Sequence, residues 1–394
     1  MKSDQILISA GEASGDLYAG HLAAELSNRT DAHLFGMGGE RMLQAGVELV
    51  ARSSDVALTG FSEVWSKLPV LRRTLNRLAE EAERRKPRIA ILTDFPSFHL
   101  RLASRLNRLR IPCVYFVAPQ FWAWRPWRAN LIRRRFVSAL CIFPFEEEFF
   151  RKAGIDTTFI GHPLVDIVRP SMPRAEFLAS VGLDSARPIV ALLPGSRWNE
   201  LHHNLPAVLE ACARIARQEP GTQFILALAG GFSSDAPQAA PPATNALRIQ
   251  SGVTHHTFAL PAGLNLRVAP GTAYDALAAA TVAIVASGTA TVETALLGTP
   301  MVVVYRVGRL TELMIRTFAR TSHVAMPNLI AGRAIVPELL QQDCTPERIS
   351  AGVLQLMNSR DAREEMQRGL SEVRERLGAG GAIGRAADLI ARML

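Results

Sequence analysis

Apolar residues along this chain gather in short continuous blocks instead of alternating with polar ones. The first half carries "QILIS" (5–9), "HLFG" (33–36), "RIAILT" (88–93), "CVYFVA" (113–118) and "ALCIFP" (139–144). The second half carries "PIVALLP" (188–194), "QFILALA" (223–229), "VAIVAS" (282–287) and "MVVVY" (301–305). Strands apolar on both faces belong to parallel sheets covered by helices on each side. Amphipathic stretches such as "LYAGHLAAELSN" and "PAVLEACARIARQ" fill the intervals. The β-α-β-α order occurs twice, which predicts an α/β protein of two doubly wound parallel-sheet domains. Pro163, Pro170 and Pro173 mark the junction. The expected divisions are residues 1–168, residues 169–360 and a helical segment over 361–394, interrupted by "LGAGGAIG".

With 394 residues the chain can hold two ordinary domains, and 48% hydrophobic residues against 20% charged ones exclude bulk disorder. No apolar run reaches the length of a membrane span, and the N-terminal run reads as a first strand, not a signal peptide. Cys113, Cys141, Cys212 and Cys344 are far apart and form no C-x-x-C pair, which fits a reducing cytoplasm. The net charge is +8, with the excess mainly before residue 165. Anionic partners are therefore expected there, whether phosphorylated substrate, membrane surface or nucleic acid.

Doubly wound sheets bind ligands beyond the carboxyl ends of their strands, so chemistry is sought in the loops found there. None carries G-x-G-x-x-G: "GMGGER" has Arg41 at the third glycine's place, and "GAGGAIG" has Ile383. There is no P-loop, H-E-x-x-H or D-x-D, and the pair His202-His203 sits in a polar stretch. No metal and no cofactor are expected.

"ASGTATVETALLGTP" (286–300) is more informative. Ser287, Gly288 and Thr289 are small enough for a backbone to approach a ligand. The helix that follows offers free N–H groups and a positive dipole end, a seat for a diphosphate. Glu293 either bonds ribose hydroxyls or is an ordinary first-turn charge. In "LLPGSRWNE", Arg197 follows a Pro-Gly-Ser turn that includes Ser196. It either stabilises a departing diphosphate or pairs with Glu200. In "TDFPSFH", Asp94 ends a buried strand and either deprotonates an acceptor hydroxyl or caps the next helix. In "SAGEASGD", Glu12 is better placed than Asp16 to reach a ligand. "PQFWAWRPWR" interleaves Trp122, Trp124 and Trp127 with arginines, but no nucleic-acid motif accompanies it, so packing is preferred and no nucleic acid is expected. Residues 61–78 set Phe61, Trp65, Leu68, Val70 and Leu71 beside Arg72 and Arg73, either an interfacial membrane segment or a helix with a core face.

Taken in order, "SAGEASGD", "TDFPSFH", "APQFWAWR", "FPFEEEFF", "FIGHPLVD", "LLPGSR", "ASGTATVETALLGTPMVVVYR" and "PNLIAGRAIVPELLQ" resemble the lipid-A-disaccharide synthases over about residues 5–345. The resemblance implies two Rossmann-like domains facing across a cleft, the GT-B arrangement. It implies an inverting, metal-independent transfer of 2,3-diacylglucosamine from its UDP conjugate to 2,3-diacylglucosamine 1-phosphate, forming the β-1,6-linked lipid A disaccharide and UDP. It also implies peripheral contact with lipid at the inner face of the cytoplasmic membrane; a homodimer is left open. By resemblance Asp94 is the essential acid and Arg197 the essential arginine, with the UDP region on Ser287, Gly288, Thr289, Glu293 and Asn328. Ser97 and His99 depart from the usual Asp-Ala-Pro-Asp-Phe-Asn, and "APQFWAW" from the usual Ser-Pro-Ser-Val-Trp-Ala-Trp. The alternatives are a UDP-sugar transferase with a polyprenyl acceptor, a UDP-sugar epimerase, or a nucleotide-sugar-binding protein without activity.

Overall fold

The computed structural model describes residues 4–56, 63–124, 126–236, 244–308 and 323–394, with backbone alone for residues 63–66 and 124. The chain divides into two compact units. Met1–Asp166 and Leu377–Leu394 form the first, and Ile167–Arg376 the second.

The first unit is built on a seven-stranded parallel sheet. Its order is Glu48–Arg52, His33–Gly38, Gln5–Ala10, Ile89–Thr93, Cys113–Phe116, Ser138–Cys141 and Thr157–Phe159. The second holds a six-stranded parallel sheet in the order Leu266–Val268, Gln223–Leu226, Ile189–Leu193, Val282–Ala286, Met301–Tyr305 and Glu338–Leu340. Every position of Ile89–Thr93, Ile189–Leu193 and Val282–Ala286 is buried, the signature of strands covered on both faces. Both units are thus α/β with parallel sheets. The four outermost strands, Glu48–Arg52, Thr157–Phe159, Leu266–Val268 and Glu338–Leu340, escaped the sequence reading because they are short and not uniformly apolar. A small antiparallel sheet of Ser233–Ser234, Ala246–Ser251 and Thr254–Ala259 was not foreseen either. Its last strand is mostly exposed and carries little hydrophobic signal.

Each large sheet reverses its winding beside its first strand. In the first unit the reversal falls between Gln5–Ala10 and Ile89–Thr93, which pair in the register Ile8 with Ile91. In the second it falls between Ile189–Leu193 and Val282–Ala286, with Leu192 opposite Ile284. At such a point the following loops part in opposite directions and leave a crevice. The loops there contain Glu12 and Asp94 in one unit, and Arg197 and Ser287 in the other.

The helical segment expected over 361–394 divides between the units. Helix Arg360–Arg376 belongs to the second unit, whereas helix Ala382–Ala391 packs on helix Ala13–Ser27 of the first. Gly378 and Gly381, at φ 91° and 84°, make the turn that separates them. Asp166 Oδ2 accepts the Gly381 N–H at 2.7 Å, and Arg385 Nε donates to the Ile160 carbonyl at 2.9 Å, fastening the last helix in place.

Behind the first sheet lies a buried carboxyl group. Glu146 is fully buried in the first turn of helix Pro144–Lys152; it accepts the Trp122 indole N–H at 3.1 Å and the Phe143 N–H at 3.3 Å. Burial raises its pKa to about 7 despite those two donors. The folded state therefore holds the proton more tightly than the unfolded chain, and stability is lost as pH rises from about 4.5 to about 7. Glu146→Gln, which mimics the protonated form, should flatten that slope. Thermal midpoints of both proteins across pH 5 to 8, on the order of one measurement per half unit, check this.

Candidate active site

In the first unit the critical turn follows strand Ile89–Thr93. Asp94 and Phe95 both take left-handed backbone angles, φ 52° and 44°. Neither is glycine, and such a conformation costs about 1–3 kcal/mol per residue, so the surroundings must hold it. They do so at the Asp94 carbonyl, which accepts the Tyr115 hydroxyl at 2.7 Å and His99 Nδ1–H at 2.8 Å. Because a carbonyl only accepts, the proton sits on Nδ1. His99 Nε2 then accepts from Ser9 Oγ at 2.9 Å. Burial drops the His99 pKa to about 4, so the ring is neutral at ordinary pH.

This turn aims the Asp94 carboxyl at the start of helix Ala13–Ser27. Oδ1 accepts the Gly11 N–H at 3.1 Å. A Cβ on Gly15 would lie 1.8 Å from Oδ2, and one on Gly11 would lie 2.4 Å from the Phe95 ring. The two glycines of "SAGEASGD" are therefore the space that admits Asp94 and Phe95. Burial, and then the Glu12 charge, raise the Asp94 pKa well above the ordinary carboxylate value; the N–H groups of Gly11, Glu12 and Gly15 oppose this and lose. Oδ2 is buried and meets no hydrogen-bond partner among the described residues. A carboxyl that resists ionisation, with one oxygen unsatisfied, suits proton exchange with a substrate hydroxyl.

The helix tip that could have seated a diphosphate is thus filled by the chain's own carboxyl. In the second unit the tip of the helix that follows strand Val282–Ala286 is open among the described residues. Gly288, at φ 153°, precedes helix Thr289–Leu296, and a Cβ there would meet nothing within 4 Å. Gly288 and Thr289 are exposed and Ser287 is half-buried, its Oγ donating to the Val324 carbonyl at 3.3 Å. Glu293 lies one turn further on. Its Oε1 accepts the Tyr274 hydroxyl at 3.0 Å, and burial raises its pKa against that bond.

Across the sheet reversal, Gly195 at φ 147° forms the turn before helix Trp198–Gln218. Asn204, fully buried, anchors it by donating to the Pro194 carbonyl at 2.8 Å and accepting the Arg306 N–H at 2.9 Å. Glu200 Oε2 accepts the Ser196 N–H at 2.7 Å, and Oε1 lies 3.7 Å from Arg197 Nη1. Ser196 and Arg197 are exposed. The ion pair weighed from sequence is present but long and half in solvent, a geometry of little energetic value.

Other expected residues have different places. Asn328 is fully buried with its amide saturated. Nδ2 donates to the Val336 carbonyl and to Glu338, and Oδ1 accepts the Ile335 and Val336 N–H groups. It braces the segment beside Ser287 and has no hydrogen bond left for a ligand. Asp16 also braces, accepting the N–H groups of Gly39, Arg41 and Met42. Glu12 is exposed at the N-cap of helix Ala13–Ser27. In helix Glu63–Arg85, Val70 and Leu71 pack against the core of the first unit, while Leu68, Arg72 and Arg73 are exposed. Phe61 and the Trp65 side chain lie outside the described residues. Trp122 packs edge-on to Phe145 as well as bonding Glu146, and Trp127 is exposed. Ser97 receives a long 3.4 Å bond from Arg128. Sequence reasoning missed Tyr115, Ser9, Asn204 and Tyr274, since hydroxyls and amides in apolar surroundings announce no partner.

The profile of the lipid-A-disaccharide synthetase family matches residues 6–383. The chain belongs to the lipid-A-disaccharide synthase family. Its relatives include the lipid-A-disaccharide synthase of Solibacter usitatus (strain Ellin6076), 43% identical and covering 99% of this chain and 97% of that one. The Myxococcus xanthus (strain DK1622) enzyme of the same name is 40% identical over the same shares. Among solved structures, the UDP-GlcNAc 2-epimerase of Neisseria meningitidis bound to UDP-GlcNAc superposes with a TM-score of 0.66, at 12% identity, covering 98% of this chain and all of that one. The glycotransferase of kitacinnamycin gives 0.62 at 18% identity, with 100% of both chains covered. These two share the fold, that of GT-B glycosyltransferases and epimerases. As a member of the lipid-A-disaccharide synthase family the chain is a glycosyltransferase.

Gly15→Ala should force Asp94 off its seat, because its new methyl would overlap Oδ2. Overpacking of this kind costs about 1–3 kcal/mol. Turnover should fall further than that loss of stability explains, read from kcat on protein shown folded by circular dichroism.

Proposed function

We propose that this enzyme joins UDP-2,3-diacylglucosamine to 2,3-diacylglucosamine 1-phosphate, releasing UDP and forming the β-1,6-linked disaccharide with inversion. The observation that carries the assignment of roles is the contrast between the two helix tips. One is closed by the Asp94 carboxyl, and the other stands open at Gly288. Asp94 therefore serves the acceptor, taking the proton of its 6-hydroxyl at Oδ2. The donor's diphosphate lies on the N–H groups after Gly288, and Glu293, held by Tyr274, bonds the ribose. Arg197, presented with Ser196 on the Gly195 turn, meets the charge that grows on the leaving UDP as the glycosidic bond breaks. Positive charge develops at the anomeric carbon meanwhile, as in glycosyl transfer generally.

Asn328 supports the donor site through the segment that it braces. Glu12 acts through its charge, which raises the proton affinity of Asp94 and so strengthens it as a base. The lipid portions of both substrates require access to a bilayer, and we propose peripheral contact through the exposed Leu68 with Arg72 and Arg73. Among the described residues no helix is long and apolar enough to cross a membrane.

The test is UDP release with defined donor and acceptor, with the product identified by mass spectrometry. Arg197→Ala should lower kcat by about 10²–10³-fold, as loss of a transition-state donor does. Near-native turnover of the folded variant, or product from donor alone, would overturn the reading. Leu68→Ser combined with Arg72→Gln and Arg73→Gln should weaken sedimentation with anionic vesicles while leaving transfer between detergent-dispersed donor and acceptor unchanged, so that only the vesicle-borne rate falls.

A further inference from the structure

We propose that His99 and Tyr115 are positioning residues for Asp94, acting together through its main-chain carbonyl; the proposal rests on Asp94 serving the acceptor. Both side chains are fully buried, at 0% exposure, and both donate into one oxygen, that of a residue whose left-handed backbone has no glycine to ease it. Next to it Phe95 is left-handed as well. Rotation of the Asp94 peptide toward ordinary strand geometry would break both bonds at once. It would also carry the carboxyl away from Gly11 and Gly15. Ser9 completes the arrangement: the bond to the Asp94 carbonyl keeps the proton on Nδ1, and Nε2 then accepts from the Ser9 hydroxyl. A ring of the other tautomer would present a lone pair to the carbonyl and repel it.

The three residues come from separate strands and a helix. Ser9 lies on Gln5–Ala10, Tyr115 on Cys113–Phe116 and His99 on Pro96–Arg108. The sheet brings these strands to either side of Ile89–Thr93, so the brace reads the register of three neighbouring strands. The ionisable groups facing Asp94 are Glu12, Tyr115 and His99. Among them only Glu12 opposes its ionisation from the exposed side, and His99 stays neutral above about pH 4. The brace therefore acts by geometry and supplies no charge.

This role makes a prediction that a packing role does not. Released from the brace, Asp94 moves toward water and regains an ordinary carboxylate pKa. The acid limb of the kcat/KM profile, where the base gains its proton, should then shift to lower pH while the plateau falls. Tyr115→Phe, which removes one oxygen and keeps the ring, is the first variant. His99→Asn, which keeps a side-chain amide donor, is the second, and His99→Leu removes the donor altogether. Tyr115→Phe and His99→Leu should lower kcat about tenfold or more with KM within about twofold, an interaction absent from substrate binding. His99→Asn should recover a large part of the loss. An acid limb and kcat unchanged in folded Tyr115→Phe and His99→Leu would overturn the positioning role. Asp94→Asn is run beside them. If it keeps near-native turnover, the assignment of Asp94 itself fails, whatever the other variants do.

Discussion

The seat of one carboxyl group sets the terms for the first unit. Asp94 stands at the winding reversal of the sheet, with its Oδ1 on the Gly11 N–H and its Oδ2 against the Cα of Gly15. Burying an acid there is unfavourable for its charged form, and the pKa rises accordingly. Nearly every local feature can be understood as a condition for that placement. Gly11 and Gly15 have no side chains because Phe95 and Asp94 occupy their space. Tyr115 and His99 converge on the Asp94 carbonyl because the turn is left-handed without glycine. Ser9 donates to the Nε2 that this convergence leaves unprotonated.

The second unit uses the same sheet topology for the opposite purpose. Gly288 and Thr289 are exposed at a helix tip, where a Cβ on Gly288 would meet nothing within 4 Å among the described residues. Around it, rigidity comes from residues that never need to touch a ligand. Asn204 ties the Pro194 turn to Arg306, and Asn328 with Glu338 ties the 324–325 backbone to the edge strand. An electrostatic site gains from such bracing, because donors already in place need no reorganisation when charge develops. The two loops that flank the reversal thus carry small and exposed residues, while their anchors are buried amides. The first unit fills the helix tip after its first strand with an aspartate from the neighbouring strand, and the second leaves the tip after Val282–Ala286 open among the described residues.

Charged groups elsewhere follow a plainer logic. Most ion pairs on the helices, such as Arg151 with Glu147 and Lys152 with Glu148, are solvated and locally spaced. Glu146 is the exception, a carboxyl sealed behind the sheet with Trp122 as its donor. It explains why the tryptophan-rich segment is held by its first indole. The basic residues Arg72 and Arg73 remain on the surface of their helix, whereas Val70 and Leu71 turn inward.

Much of this was legible in the chain itself. Continuous apolar blocks required parallel strands covered on both faces, and their number required two sheets. The loop rule confined the chemistry to the strand ends, where residue type pointed to Glu12, Asp94, Arg197 and Ser287. Gly288 and Arg197 were legible because their neighbours are small or charged where a core would be apolar. The short edge strands were not, because few residues and mixed burial leave no periodic signal. Nor was the division of the last two helices, which depends on Asp166 and Ile160 meeting Gly381 and Arg385 some 215 and 225 residues away. The brace on Asp94 and the saturated amide of Asn328 were also decided only by tertiary structure. A sequence shows which groups can hydrogen-bond, but which partner each one finds is fixed by distances that exist only after the strands have paired.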